Sequence, residues 1–215
     1  MQEVNEYSFF NTLVWKLQFP EYVKDLNKLC DPYIKKAIKH NLDDLKKNKD
    51  INKKLKKDFG MSHHSTSLFH DKDFTFLKDL IAEKSNDFIT SCGFDIKNKA
   101  LYFSELWVQQ FSKLGGGHHS THVHYNQHVS GFYFLKASEL TSFPRFYDPR
   151  PGAVMTKLPF LKPNELNSAT EIIHFSVKPG DMIIFPGYLA HEFSVDNGIE
   201  PFRFIHWNLQ YVERN

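Results

Sequence analysis

The chain has 215 residues, with 27 Lys or Arg against 25 Asp or Glu, for a formal net charge of +2. At 41% hydrophobic and 24% charged, it can bury an ordinary core as one domain, or one domain with an appended lobe. No apolar run approaches the roughly 20 residues of a spanning helix, so membrane integration is excluded, and the near-neutral charge singles out no nucleic-acid surface.

The opening residues carry Glu3 and Glu6 with no small-residue cleavage site, so no secretory signal is expected. Cys30 and Cys92 are too few for a disulfide scaffold and fit a reducing, cytoplasmic setting. The composition stands out in its 12 histidines and 15% aromatics. Histidine is the commonest metal ligand and titrates near neutrality, so its placement carries information.

From Pro20 to His40, Val23, Leu26, Leu29, Cys30, Tyr33, Ile34, Ala37 and Ile38 recur at three-and-four spacing. The pattern predicts an amphipathic helix with one buried stripe. Asn41 to Asp58 is rich in lysine (Lys53, Lys54, Lys56, Lys57) and reads as a solvated helix or connection, not as a nucleic-acid contact. A second helix is predicted over Asp73–Ser91, ended by Gly93.

After Lys99 the pattern changes to short extended runs. Strands are predicted at Leu101–Phe111, Thr121–Tyr125, Ser130–Lys136, Phe143–Tyr147, Ile172–Val177, Met182–Phe185, Glu192–Val195 and Phe202–Val212. Lys178-Pro-Gly-Asp181 and Asp196-Asn-Gly198 supply turns between them. About eight strands at this spacing predict an all-β sandwich or barrel. With the helices first, the expectation is a helical layer over residues 1–99 packed on a jelly-roll core over residues 100–215.

Between Gly115 and Gly131 the sequence reads GGGHHSTHVHYNQHVSG. Of these histidines only His122 and His124 stand two apart, the spacing that puts both on one face of a strand and lets them converge on an ion. Imidazole suits Fe, Zn, Ni and Cu alike. Two ordinary strand histidines remain the plain alternative. Further on, Lys178 to Pro186 is a turn feeding an apolar strand, and Gly187-Tyr-Leu-Ala leads to His191. A β-sandwich could bring His191 beside the pair, leaving the ion's other face open, as in a catalytic site.

In Phe202-Arg-Phe-Ile-His-Trp207, alternation places Arg203 with Ile205 and Trp207. A buried guanidinium needs an anion. Its planar fork suits a bound organic acid or a structural Asp or Glu equally, and the spacing does not choose.

The order His122-x-His124, Ser130-Gly-Phe-Tyr-Phe-Leu135, Phe146-Tyr-Asp-Pro-Arg150, Pro179-Gly-Asp181, Phe185-Pro186, His191 and Arg203 resembles the Fe(II)- and 2-oxoglutarate-dependent oxygenases. Within them it is most similar to a bacterial and phage subfamily related to prolyl 4-hydroxylases. The opening Phe9-Phe-Asn-Thr-Leu-Val-Trp15 and the helical lobe also look like that subfamily. The resemblance implies a double-stranded β-helix holding Fe(II), with His122, His124 and His191 at the metal-ligand positions. It places Arg203 and Tyr133 against the distal carboxylate of 2-oxoglutarate. It further implies O2 as co-substrate, ascorbate as the in vitro reductant, hydroxylation of a C–H bond, and succinate and CO2 as products. His124 departs from the His-x-Asp or His-x-Glu of most of the superfamily, leaving the site more positive by one charge. Asp148 is a carboxylate that could still reach the ion.

Asn126 and Trp107 are candidates to contact substrate, with Gln109 and Gln110 beside Trp107. His118 and His119 are expected on a flexible rim after the glycines, His128 at a strand end, and His63, His64 and His70 at the surface. Both cysteines are expected to be inert on apolar helix faces. Two other readings stay open: a cupin-type metal dioxygenase that does not use 2-oxoglutarate, and a non-catalytic β-sandwich that binds a partner. The prime substrate, a protein side chain or a small molecule, is not encoded in any motif, nor is the oligomeric state. Loops at Lys136–Phe143 and Pro149–Thr170 are where specificity would reside.

Overall fold

The spacing that predicts the first helix is borne out in the computed structural model, which describes residues 4–47, 57–150, 158–162 and 165–214. A 3-10 turn at Pro20–Tyr22 leads into α1, Val23–Lys47, whose buried residues Leu26, Cys30, Ile34 and Ala37 form one stripe. The helix thus runs past His40 into the lysine-rich stretch; Lys53, Lys54 and Lys56 lie outside the described residues. The second helix, α2, is Thr75–Ser91, preceded by a 3-10 turn whose Asp71 side chain accepts from the Asp73 amide at 2.9 Å. Gly93 follows at φ +93°, the left-handed conformation that suits glycine just past a helix end.

Among the described residues, ten strands form two antiparallel sheets. In chain order they are β1 Trp15–Gln18, β2 Ser62–His64, β3 Lys99–Phe111, β4 His119–His122, β5 Val129–Lys136, β6 Pro144–Tyr147, β7 Ile172–His174, β8 Asp181–Pro186, β9 His191–Phe193 and β10 Arg203–Glu213. The large sheet has the order β1-β8-β5-β10-β3-β2 and the small one β4-β9-β6-β7. This is the jelly-roll arrangement, with the helices as a third layer. β1 and β2 fall outside the predicted strands, and they bring the N-terminal part of the chain into the large sheet as its two edges.

Both faces of the large sheet are buried, and strand alternation decides what each side chain meets. On β10, Ile205, Trp207 and Leu209 join Leu26, Cys30 and Ile34 of α1 and Leu77 and Ile81 of α2 in one core. Phe204 points the other way, into a second core between the sheets that holds eight phenylalanines. β8 divides likewise, Met182 and Ile184 toward the helices, Ile183 and Phe185 toward the small sheet. So the phenylalanine-rich composition is spent on the space between the sheets, at whose polar end the histidines gather.

Candidate metal centre

His122 closes β4 and pairs with His191, the first residue of β9. His124 stands two residues on, outside the strand, where its amide donates to the Gly187 carbonyl at 2.9 Å. That bond fastens the His-x-His segment to the turn before His191. The ring centroids of His122 and His191 are 4.4 Å apart, those of His124 and His191 5.0 Å, and those of His122 and His124 5.1 Å. One ligand nitrogen from each lies within 4.8 Å of the others.

Hydrogen bonds turn the rings. His122 Nδ1 is 2.7 Å from the Ser120 carbonyl and His191 Nδ1 2.9 Å from that of Leu189. A carbonyl only accepts, so each Nδ1 carries the proton and each Nε2 keeps its lone pair, the arrangement usual in metal-bound histidine. The buried Nε2 atoms of His124 and His191 have no hydrogen-bond partner. Unpartnered buried nitrogens are costly, and the two rings that carry them stand 5.0 Å apart. Burial first, then neighbouring imidazoles, depresses the pKa of His124 to about 2. Burial likewise takes His191 down to about 3. Neutral imidazole is the form that ligates, so the donor set fits a divalent transition ion.

The inward face around this cluster is set by strand register. Across β3, β10 and β5, Glu105 faces Asn208, which faces Ser130; in the next row Trp107 faces His206, which faces Phe132. Deeper still, Phe204 pairs with Gln109 on one side and Phe134 on the other. Ser130 Oγ donates to Asn208 Oδ1 at 2.5 Å, and Asn208 Nδ2 donates to Glu105 at 2.7 Å and stands 2.9 Å from His124 Nδ1. Polar groups therefore line one end and phenyl rings the other.

Trp107 is brought to the cluster, its ring 4.5 Å from His206 and 3.9 Å from His64. Gln109 also faces inward, its Nε2 2.6 Å from His119 Nε2. His119 is not a rim residue: it lies in β4, its ring 5.8 Å from His122, and burial lowers its pKa to about 3. His206 and Glu105 were missed in the sequence. Their signal was alternation, since Glu105 shares a face with Trp107, and His206 the face opposite to Arg203. His63 is buried, not superficial, and holds Asp58 at 2.8 Å.

Arg203 and Tyr133 are the main corrections. Both lie on the helix-facing side of the large sheet. Arg203 Nη1 meets Asp31 of α1 at 2.7 Å, and its Nε donates to Gln110 at 2.9 Å. Tyr133 packs in the helix-side core and donates its hydroxyl to the Phe19 carbonyl at 2.5 Å. Neither faces the histidines. Asp148 is engaged by Arg150 at 2.6 Å and joins no ligand group among the described residues. Asn126 is exposed in the turn after His124 at φ +60°, where its carbonyl accepts from Gln210. His118 is exposed, and His128 Nδ1 accepts from the Tyr211 amide at 3.1 Å, away from the cluster. A groove of about 730 Å³ is lined by Thr121, Arg145 and Glu192 among others, and none of His122, His124 and His191 lines it.

Three convergent imidazoles between the sheets of a jelly roll are the feature by which a family can be tested. The core is similar to that of the 2OG-Fe(II) oxygenases. Residues 105–201 match the family model described as "Putative 2OG-Fe(II) oxygenase", a span that holds all three histidines and ends before Arg203. The family's cofactors are Fe(II) and 2-oxoglutarate. No curated protein matches the chain. Among solved structures, a Pseudomonas putida prolyl-4-hydroxylase is 10% identical, with 94% of each chain covered and a TM-score of 0.53. SnoK, a non-heme alpha ketoglutarate dependent carbocyclase from nogalamycin biosynthesis, is 8% identical, with 94% of this chain and 83% of that one covered and a TM-score of 0.59. At these identities the two likenesses establish the jelly-roll fold. Among the described residues no helix is long and apolar enough to cross a membrane.

Proposed function

We propose that this protein is an Fe(II)- and 2-oxoglutarate-dependent dioxygenase that hydroxylates an unactivated C–H bond and releases succinate and CO2. The observation that carries the reading is the convergence of His122, His124 and His191, two of them with buried, unpartnered Nε2 atoms. These three residues would hold the iron, which when bound supplies the activation of dioxygen. The backbone carbonyls of Ser120 and Leu189 fix the tautomers of His122 and His191, and the phenylalanine core beneath excludes water from that side. Trp107, half-buried beside His206, is the residue best placed to meet a prime substrate. The substrate is a protein side chain or a small molecule; residues 151–157 and 163–164 of the expected specificity loop lie outside the described residues.

For 2-oxoglutarate the fit is less complete. The three rows Glu105–Asn208–Ser130, Trp107–His206–Phe132 and Gln109–Phe204–Phe134 contain no Lys or Arg, and their donors are Gln109, Ser130, Asn208 and imidazole; Lys136, two residues past Phe134, pairs with Arg203 at the far end of β5. No residue is therefore assigned to the far carboxylate. This observation favours, as a second reading, a three-histidine iron oxygenase that works without 2-oxoglutarate. Anaerobic titration of the iron-loaded protein with 2-oxoglutarate separates the two. A visible metal-to-ligand charge-transfer band, and succinate release with ascorbate in air that His191→Ala abolishes, is the expected result. Iron bound at full stoichiometry with no band would select the second reading, and no iron binding at all would overturn both.

A further inference from the structure

We propose that Glu105, His124 and His206 form a second cation-binding position beside the three-imidazole centre, sharing His124 with it. The inference builds on the proposed centre and concerns donors that the centre leaves unused. One ligand atom from each of these residues lies within 4.8 Å of the others.

His206 carries the argument. It is 1% exposed, and neither ring nitrogen has a hydrogen-bond partner. Its ring stacks on that of His124 at 4.7 Å and 29°, and its Nε2 lies 3.6 Å from Glu105 Oε2, just too far for a hydrogen bond. A buried imidazole idle at both nitrogens, beside a carboxylate and a second imidazole, matches a site that lacks its ion better than it matches packing. The donors also differ from those of the first centre. Three imidazoles leave a divalent ion's charge uncompensated, whereas two imidazoles and a carboxylate are the set that non-heme Fe(II) prefers.

Asn208 shows what the position attracts. Its Nδ2 stands 2.7 Å from Glu105 Oε2 and 2.9 Å from His124 Nδ1, so the positive end of an amide dipole is already placed between two of the three donors. A cation would take over that role, with Asn208 turning aside. His124 then bridges the two positions as an imidazolate, Nε2 toward His122 and His191 and Nδ1 toward Glu105, and its ring proton is released to solvent as the cations bind. Glu105 is about half exposed, so the position opens to solvent.

The test titrates Co(II) into the metal-free full chain and follows bound metal by equilibrium dialysis and visible absorption. The unmutated chain should take up a first equivalent and a second, weaker one. Glu105→Gln and His206→Phe should each weaken only the second, by at least about 10-fold, while His122→Ala should weaken the first and spare the second. His206→Phe places a ring of similar size among phenylalanines, and Glu105→Gln is isosteric, so thermal melts can confirm that both chains fold. An isotherm unchanged by Glu105→Gln overturns the proposal. So does a single equivalent whose affinity falls in Glu105→Gln, since Glu105 would then act on the first centre through Asn208. Loss of the first equivalent in no variant would instead overturn the three-imidazole centre.

Discussion

Arg203 Nη1 lies 2.7 Å from Asp31 Oδ1, joining the first residue of β10 to α1. The guanidinium is nearly buried while the carboxylate is about half exposed, and Arg203 also holds Gln110 and Asn27. The hydrogen bond from Arg203 is the first cause that lowers the pKa of Asp31, against burial, which raises it. The pair thus fastens the helical layer to the sheet. Asp31→Asn should cost about 1–2 kcal/mol, the lower part of the range for a charged hydrogen bond because the partner is exposed. Urea unfolding reads the loss, and Co(II) affinity should stay unchanged. If Asp31→Asn or Arg203→Met instead weakened 2-oxoglutarate binding at unchanged stability, the structural role would be wrong.

The three-imidazole centre predicts a sharp contrast among histidines. His191→Ala removes a ligand and should cut metal affinity by more than the roughly 10–100-fold typical of losing a supporting residue. His128→Ala should leave affinity as it was, because His128 only accepts a backbone amide at the edge of the sheet. Competition with a coloured chelator measures both.

The same burial makes the metal-free protein acid-sensitive. His191 and His119 have pKa values near 3 and His124 near 2, all depressed from the ordinary 6.5 chiefly by burial. The unfolded chain therefore binds protons more readily than the folded one. Stability from these groups is fully present above about pH 6.5 and is lost as pH falls toward the folded values. From pH 7.5 to 5.5 the loss should exceed about 1 kcal/mol, or about 2–4 °C in Tm. A Tm that stayed flat or rose over this window would show that the rings protonate freely in the folded state.

Much of this was legible in the sequence because apolar spacing reports directly on burial. The stripe Leu26, Cys30, Ile34, Ala37 follows from period, and the strand over Met182–Phe185 from a continuous apolar run after a tight turn. His122, His124 and His191 could be singled out because two stand at strand spacing and the third follows a tight turn. Arg203 shows where the reading stops. Alternation correctly puts it with Ile205 and Trp207, but both faces of the large sheet are apolar, so the pattern cannot say which one meets the helices. The sharper signal was on the other face, where Phe204, His206 and Asn208 alternate in step with Trp107 and Glu105. β1 and β2 were invisible for a different reason. They are four and three residues long, and His63–His64 has no apolar alternation; edge pairing through the backbone defines them.

The position of Trp207 leads to the last prediction. Its indole is fully buried in the helix-side core, directly across the β10–β5 ladder from Gly131. A Cβ built on Gly131 would overlap the indole ring and come within 2.7 Å of the Ile183 carbonyl. Backbone conformation is not the reason for this glycine, since its φ is not positive; the reason is space. Gly131→Ala must push Trp207 toward the helices, and overpacking of this kind costs about 1–3 kcal/mol. Trp207→Leu should relieve most of that penalty in the double variant while costing stability by itself, because a smaller side chain leaves room for the methyl group. A double-mutant cycle in urea measures the coupling. Additive losses would mean that Gly131 is there for some reason other than the indole.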